Sequence, residues 1–408
     1  VHESDNETIS KIIKNQSWFY LNWKHDPTIQ SMLVMIDEIH KTFKNTIITV
    51  EDLEDKEKQL ITFHYLPINT YGLSDSLYIK MNARGKVLTD FENFKAKFEN
   101  FIHDKHRHLK EGFTEKIDGI WCDLIWDYIK NQNESKASNA FDLVDKPLLN
   151  LIYYISEMLF HKSNLNKDFD FDIRFKTIEL IYASEENLKF LYKALDVFTL
   201  IGVKNQKENI NEFFENIFSK NYKENKVAIF DENRNLFERC IFRNGFEIKE
   251  KLLLYSIIFY FTQRENKDVE ISDNLKDYIR VCRNYILSIN QKSKDEFVPE
   301  LRREFYSELI NTLDIAYDVN DVYSNLPLKR DQFKYKIENI KHEIDKASVI
   351  NSDKTLKPSI HKLEDHKYLK GAIHNFEFND KTKLEFIANE FHLIWSKLDD
   401  GLITRALL

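Results

Sequence analysis

The chain has 408 residues, 42% hydrophobic and 31% charged, which excludes a disordered tail and leaves room for two or three domains. A net charge of −8 excludes a nucleic-acid binder that is basic all over, although a local basic face needs only a few placed Lys or Arg. Eight glycines and six prolines are too few for a hairpin-rich all-β protein and point to long helices.

Three cysteines, Cys122, Cys240 and Cys282, lie far apart with no C-x-x-C pair, so neither a zinc ribbon nor a thioredoxin-like redox pair is available. Free thiols fit a reducing compartment. The longest apolar run, Leu252 to Phe261 broken by Ser256, falls short of the roughly 20 residues that span a bilayer. No charged-then-apolar leader opens the chain. These features read as a cytoplasmic protein without a membrane segment.

Residues 9–43 have helical patterning. Asp26-Pro27-Thr28 starts a helix, because proline pre-sets the first-turn φ, and Ile29, Met32, Leu33, Ile36 and Ile39 follow at helical spacing. Leu60 to Ile68 is rich in β-formers and closed by Pro67, which predicts a short strand. Asp75 to Ala83 predicts a short helix ended by Arg84-Gly85, with Gly85 able to take the left-handed conformation. Thr89 then caps a new helix, with Glu92 completing a capping box and Phe91, Phe94, Phe98, Phe101 and Ile102 forming its apolar stripe. From about residue 113 the chain reads as helix after helix: Pro147 to Phe160, then 187–201, 208–218, 247–263, 274–288 and 299–313. Polar linkers separate these helices at 130–140, 161–170, 203–208, 219–226 and 289–297. No internal repeat of fixed period is present. Residues 345–408 predict a loop, a hairpin around Gly371, and two helices.

Four clusters carry candidate chemistry. Asn82-Ala83-Arg84-Gly85-Lys86 runs into the helix capped at Thr89, whose N-terminus offers free N–H groups to an anion, so Arg84 and Lys86 are candidates to clamp a phosphate. The competing reading is a tight turn with solvated charges. Lys95 borders the phenylalanine stripe and either snorkels to solvent or points into a site. His103, His106 and His108 are close enough in sequence to suggest zinc, but no Cys or carboxylate completes a familiar spacing, and a polar helix end is the plainer reading. On the helix containing Tyr278, Cys282, Tyr285, Ile286 and Ile289, Arg280 and Arg283, with Asn284, fall opposite the apolar positions and predict either phosphate contacts or a solvated face. His361, Glu364, Asp365, His366 and His374 could support acid–base or metal chemistry, or form a polar loop. None of the phosphate-loop, dinucleotide, nucleophile-elbow or zinc-protease motifs occurs, so no catalytic residue and no metal ligand is assigned.

Taken in order, several stretches resemble one family. They are Ser17-Trp18-Phe19 through Trp23; Asp26-Pro27-Thr28 through Leu33; and Leu77 to Lys95, with its Asn82-x-Arg84-Gly85 turn, Leu88-Thr89 and Phe91. Further on come Arg280-Val281-x-Arg283-Asn284; Glu343-x-x-Lys346-Ala347; Glu364-Asp365-His366-x-x-Leu369-x-Gly371; and Leu402-x-x-Arg405-Ala406-Leu407-Leu408. This series resembles the large bacterial proteins that carry the N-terminal domain of GmrSD-type restriction endonucleases, a ParB/sulfiredoxin-like domain. That family places a Tyr-Gln-Arg box and an Asp-Gly-Gln-Gln-Arg box ahead of the Trp/Asp-Pro-Thr region. Neither box occurs here, so the chain, which opens at Val1, reads as an interior fragment. The resemblance implies phage defence by nucleotide-dependent restriction of foreign or modified DNA, with an NTP and Mg as cofactor. It also implies that Asn82, Arg84 and Lys95 contact a nucleotide or DNA phosphate. The expected fold is mainly α. The tail of a small α/β ParB-like domain (1–110) is followed by a large multi-helical domain (111–345) and a closing segment (346–408). The alternative is a non-enzymatic helical scaffold that docks a protein partner.

Overall fold

A computed structural model of the chain describes residues 8–19, 26–45, 89–132, 140–163, 175–203, 210–230, 235–264, 269–290, 303–334, 337–373 and 381–397, with a few isolated residues between. The described residues are mainly helical, as expected, and their one strand pairing joins β1 (Phe218–Ser219) to β2 (Val227–Ala228) in parallel, at the two ends of the 219–226 stretch that the sequence reads as linker. The predicted strand at 60–68 and the short helix at 75–83 lie outside the described residues.

The chain divides into two compact units, 1–85 and 86–408. In the first, α1 (Ile9–Lys14) packs against α2 (Pro27–Phe43). The start of α2 is the one the sequence announces. Asp26 accepts hydrogen bonds from the N–H groups of Thr28 and Ile29 at 2.8 and 3.1 Å, and Pro27 fills the first turn. Asp37 accepts the Ser10 N–H at 2.8 Å and so ties the two helices together.

The second unit begins at residue 86 because the helix α3 (Asp90–Lys105) gives its aromatic stripe to the helical body. The sequence reading put that helix in the preceding domain. Phe98 is fully buried and meets Phe94, Phe113 and Tyr182 at ring separations of 5.2, 5.3 and 5.2 Å. The Thr89–Glu92 capping box forms, and the Thr89 hydroxyl also donates to Asp145 at 2.6 Å.

After α3 come α4 (Lys110–Asp118), α5 (Ile120–Gln132), α6 (Ala140–Lys162), α7 (Phe175–Tyr182), α8 (Glu185–Val203) and α9 (Ile210–Ile217). Pro147, predicted to begin a helix, lies inside α6, which starts at Ala140. Helices α10 (Leu236–Phe242), α11 (Ile248–Thr262), α12 (Asp273–Asn290), α13 (Arg303–Ala316), α14 (Val322–Asn325), α15 (Ile337–Ser352), α16 (Lys357–Glu364) and α17 (Lys381–Lys397) complete the unit. From Leu252 to Thr262, α11 is buried on every side, as suits a helix that is apolar all round and sits in the middle of a larger core. Helix α12 lies along it. The hairpin expected around Gly371 is instead a turn after α16. The Gly371 N–H returns to the Glu364 carbonyl at 2.9 Å, and Gly371 takes φ +86°.

Candidate functional site

Every residue of α12 from Asp277 to Ile286 is buried. One face is apolar and packs on α11, whereas the opposite face carries Asp277, Arg280, Arg283 and Asn284 against α15 and α16. A polar face between helices must be paired with care, because an unpartnered buried charge costs several kcal/mol, roughly 3–5 when one partner is removed.

The pairing is dense. Arg280 Nη1 donates to Glu364 Oε1 at 2.9 Å and to Asp365 Oδ1 at 2.7 Å, while Nη2 donates to Asp365 Oδ2 at 2.8 Å and to the Lys226 carbonyl. Arg283 Nη1 donates to Asp365 Oδ1 at 2.5 Å and to the Ala228 carbonyl at 2.7 Å. The Asn284 amide accepts from Arg283 Nε at 2.9 Å and donates to Glu364 at 2.9 Å and Glu343 at 3.1 Å. Lys346 closes the circuit between Glu343 and Glu364, at 2.5 and 2.9 Å. Three cations face three carboxylates, and none of the six residues is more than 3% exposed. A second tier adjoins them: the Tyr323 hydroxyl pairs with His361 Nε2 at 3.1 Å, and Lys357 donates to Asp277 at 2.6 Å.

The electrostatics follow from this packing. Burial pushes the Glu364 carboxyl up, but Lys346 and Arg280 together hold it well below its ordinary value. Burial raises Glu343, and Lys346 pulls it only part of the way back. Burial, reinforced by Arg280, holds His361 well below the usual imidazole value and therefore neutral. Glu364 thus contributes stability that is present above the ordinary glutamate value of 4.5 and is lost as pH falls beneath it. Glu343 acts with the opposite sign: its contribution is complete below 4.5 and is lost as pH rises through its raised value. In an acid titration followed by amide hydrogen exchange, α15 and α16 should therefore lose protection below about pH 4.5 before α6 and α11 do. Simultaneous loss across all four helices would contradict the assignment.

This arrangement corrects two expectations. Arg280 and Arg283 are neither a solvated face nor available to a phosphate, because their N–H groups are directed at internal carboxylates and carbonyls. Glu364 and Asp365 are not a polar loop but the floor on which those arginines rest, and each is engaged by cations, so neither is free to take a substrate proton. His366 lies against His392 and Phe391, and His374 falls outside the described residues.

The other candidates separate. Asn82, Arg84, Gly85 and Lys86 lie outside the described residues. Lys95 bonds both oxygens of Asp118 across to α4. In the histidine run, His106 is buried and bonds the Tyr182 carbonyl at 2.9 Å, His108 faces Glu185 at 3.4 Å, and His103 pairs with Asp104. Among the described residues no three His, Cys, Asp or Glu side chains stand close enough to hold a metal ion. A small pocket beside the network is lined by Ile229, Leu236, Leu253 and Ile286, with Arg283 in its wall. No helix among the described residues is long and apolar enough to cross a membrane.

Glu343 and Lys346 of α15 carry no sequence signal of burial beyond their three-residue spacing, which places them on one face of that helix. No protein family, no curated protein and no solved structure matches the chain.

Proposed function

We propose that the chain is part of a prokaryotic defence protein that restricts foreign or modified DNA with the help of a nucleotide, and that residues 86–408 are a helical module of it. The observation that carries this reading is the meeting of three separate stretches in one network. Arg280, Arg283 and Asn284, then Glu343 and Lys346, then Glu364 and Asp365 each belong to the resemblance by their order along the chain, and they interlock in space. Residues that hold one another in place fix the three stretches that carry them as one structural unit. Asn82, Arg84, Gly85 and Lys86 stay with the proposal as phosphate contacts, whereas Lys95, engaged by Asp118, does not.

The test is phage plating on bacteria that carry the complete gene, using phage with modified and with unmodified DNA bases. Plating should fall for at least one of them and recover with Arg84→Ala. Equal plating with and without the gene, for both kinds of phage, would remove the proposal.

One observation favours a second reading, a scaffold that docks a protein. Met32, Met35, Ile39 and Phe43 recur along α2 and are 54, 57, 51 and 52% exposed. A stable complex with a host protein that Met35→Asp abolishes, with no effect on phage plating, would select it.

A further inference from the structure

The corner between α10 and α11 is braced from two sides. Asn150 of α6 donates to the Ile241 carbonyl at 2.7 Å, and Tyr154, one turn further along α6, meets the Phe246 ring at 5.4 Å. Arg239 of α10 bonds the Gly245 carbonyl and pairs with Glu250 of α11 at 3.2 Å, while Glu250 also accepts the Glu247 N–H at 2.8 Å. The corner is therefore fixed to three helices.

The side chains it presents are not engaged in the same way. Phe242 is 43% exposed, and Arg243, Asn244 and Gly245 are exposed beside it. Among the described residues the Arg243 guanidinium has no hydrogen bond and no ion pair. It stands over the Tyr153 ring at 5.7 Å, which leaves its N–H edge open. The Asn244 amide is also unbonded among the described residues. Glu247, the nearest carboxylate along the chain, is taken by Lys249 at 3.0 Å.

The backbone carries a second signal. Arg243 takes φ +51° and ψ +29°, the left-handed conformation that a helix C-terminus ordinarily gives to glycine. A residue with a Cβ is strained there, and strain held in a well-braced segment points to a use for the side chain.

An apolar ring, a guanidinium and an amide thus stand in consecutive positions on a rigid corner. Proteins that kink DNA use this set in the minor groove: the ring enters between base steps, while the guanidinium and amide reach the adjoining edges. A small molecule would need a concave, mostly apolar pocket, which three water-facing side chains do not make. A single strand would need a track of free cations, and the corner has one.

We propose that the 242–245 corner is a minor-groove wedge, with Phe242 entering a base step of duplex DNA and Arg243 and Asn244 on the adjoining base edges. The inference rests on the DNA restriction proposed above, to which it adds a DNA contact of the helical unit.

The test uses the whole protein and a short A·T-rich duplex. Anisotropy of a fluorescein label reads affinity, and 2-aminopurine within the duplex reads unstacking as a rise in fluorescence. Wild type should bind this duplex more tightly than a G·C-rich one, whose guanine amino groups alter the minor groove, and should raise the 2-aminopurine signal. Phe242→Ala should remove most of that rise while binding persists. Arg243→Gly should weaken binding roughly 10-fold, the loss of one arginine contact. Its urea midpoint should stay at or above wild type, since glycine takes φ +51° without strain. Three results overturn the proposal: no duplex binding, wild-type binding without a fluorescence rise, or variants that bind and unstack like wild type. An Arg243→Gly midpoint below wild type with unchanged affinity also overturns it, by making the guanidinium a brace on Tyr153. Phage plating separates the two ideas. Protein that lowers plating but never unstacks the duplex overturns the wedge and leaves defence standing, whereas protein that unstacks the duplex but never lowers plating removes the defence reading alone.

Discussion

Replacing Arg280 with leucine is expected to destabilise the helical unit by about 3–5 kcal/mol, the cost of leaving a buried charge without its partner. The guanidinium is bonded to Glu364 Oε1 at 2.9 Å and to both oxygens of Asp365, at 2.7 and 2.8 Å. Without it, Asp365 keeps Arg283, and Glu364 leans on Lys346, on Asn284 and, at 3.7 Å, on Arg283. Two carboxylates would then share too little positive charge in a site that admits no water to the two residues, both 0% exposed. A leucine cannot reach the Lys226 carbonyl either, so the loop that it anchors loses a bond as well. The comparison that isolates the charge is Lys276→Leu, one turn earlier on α12, whose partner Asp273 is a surface carboxylate 3.9 Å away. That change should cost no more than about 1 kcal/mol. Urea unfolding of the two variants beside wild type measures both. If Arg280→Leu unfolds at the same urea concentration as Lys276→Leu, the network does not carry the weight assigned to it.

Much of the fold is legible in the sequence because helix signals are local. Asp26-Pro27, the Thr89–Glu92 box and the phenylalanine stripe of α3 each state their structure within a few residues, and each forms. Pro147 misleads for the same reason: proline is a good first-turn residue, yet α6 continues back to Ala140 around it. The face of α12 is misread for a different reason. A helical wheel assigns a charged face to water, because burying charge is costly. It has no knowledge of Glu343, Lys346, Glu364 and Asp365, which arrive from 59 to 85 residues away to neutralise that face. The clue in the sequence is a balance, with three basic and three acidic residues distributed over three short stretches, two of them (280–284 and 343–346) at the spacing of one helical face. Balance becomes visible only when the stretches are placed together, and that is a tertiary fact. The surface lysines show the converse. Read as a string, Glu364 and Asp365 offset two of Lys362, Lys367 and Lys370, whereas in the fold both carboxylates turn inward to Arg280, Arg283 and Lys346.

The turn that covers this network depends on one glycine. Gly371→Ala is expected to destabilise by about 2–4 kcal/mol, from left-handed backbone strain and overpacking together. Its φ of +86° is a conformation that alanine adopts poorly. A Cβ placed there would stand 2.4 Å from Asn284 Oδ1 and 2.7 Å from Asn284 Cγ. The neighbour cannot swing aside at low cost, since Arg283, Glu343 and Glu364 all hold the Asn284 amide. Gly112, inside α4, supplies the control: no atom lies within 4 Å of a Cβ there, and alanine should stabilise by about 0.5–1 kcal/mol through helix propensity. The two substitutions add the same methyl group to the same protein, so denaturant midpoints that move in opposite directions would report the local backbone and its neighbour, and not the side chain itself. A Gly371→Ala midpoint equal to wild type would mean that the turn relaxes away from Asn284, and that the Asn284 amide is held less firmly than its three bonds imply.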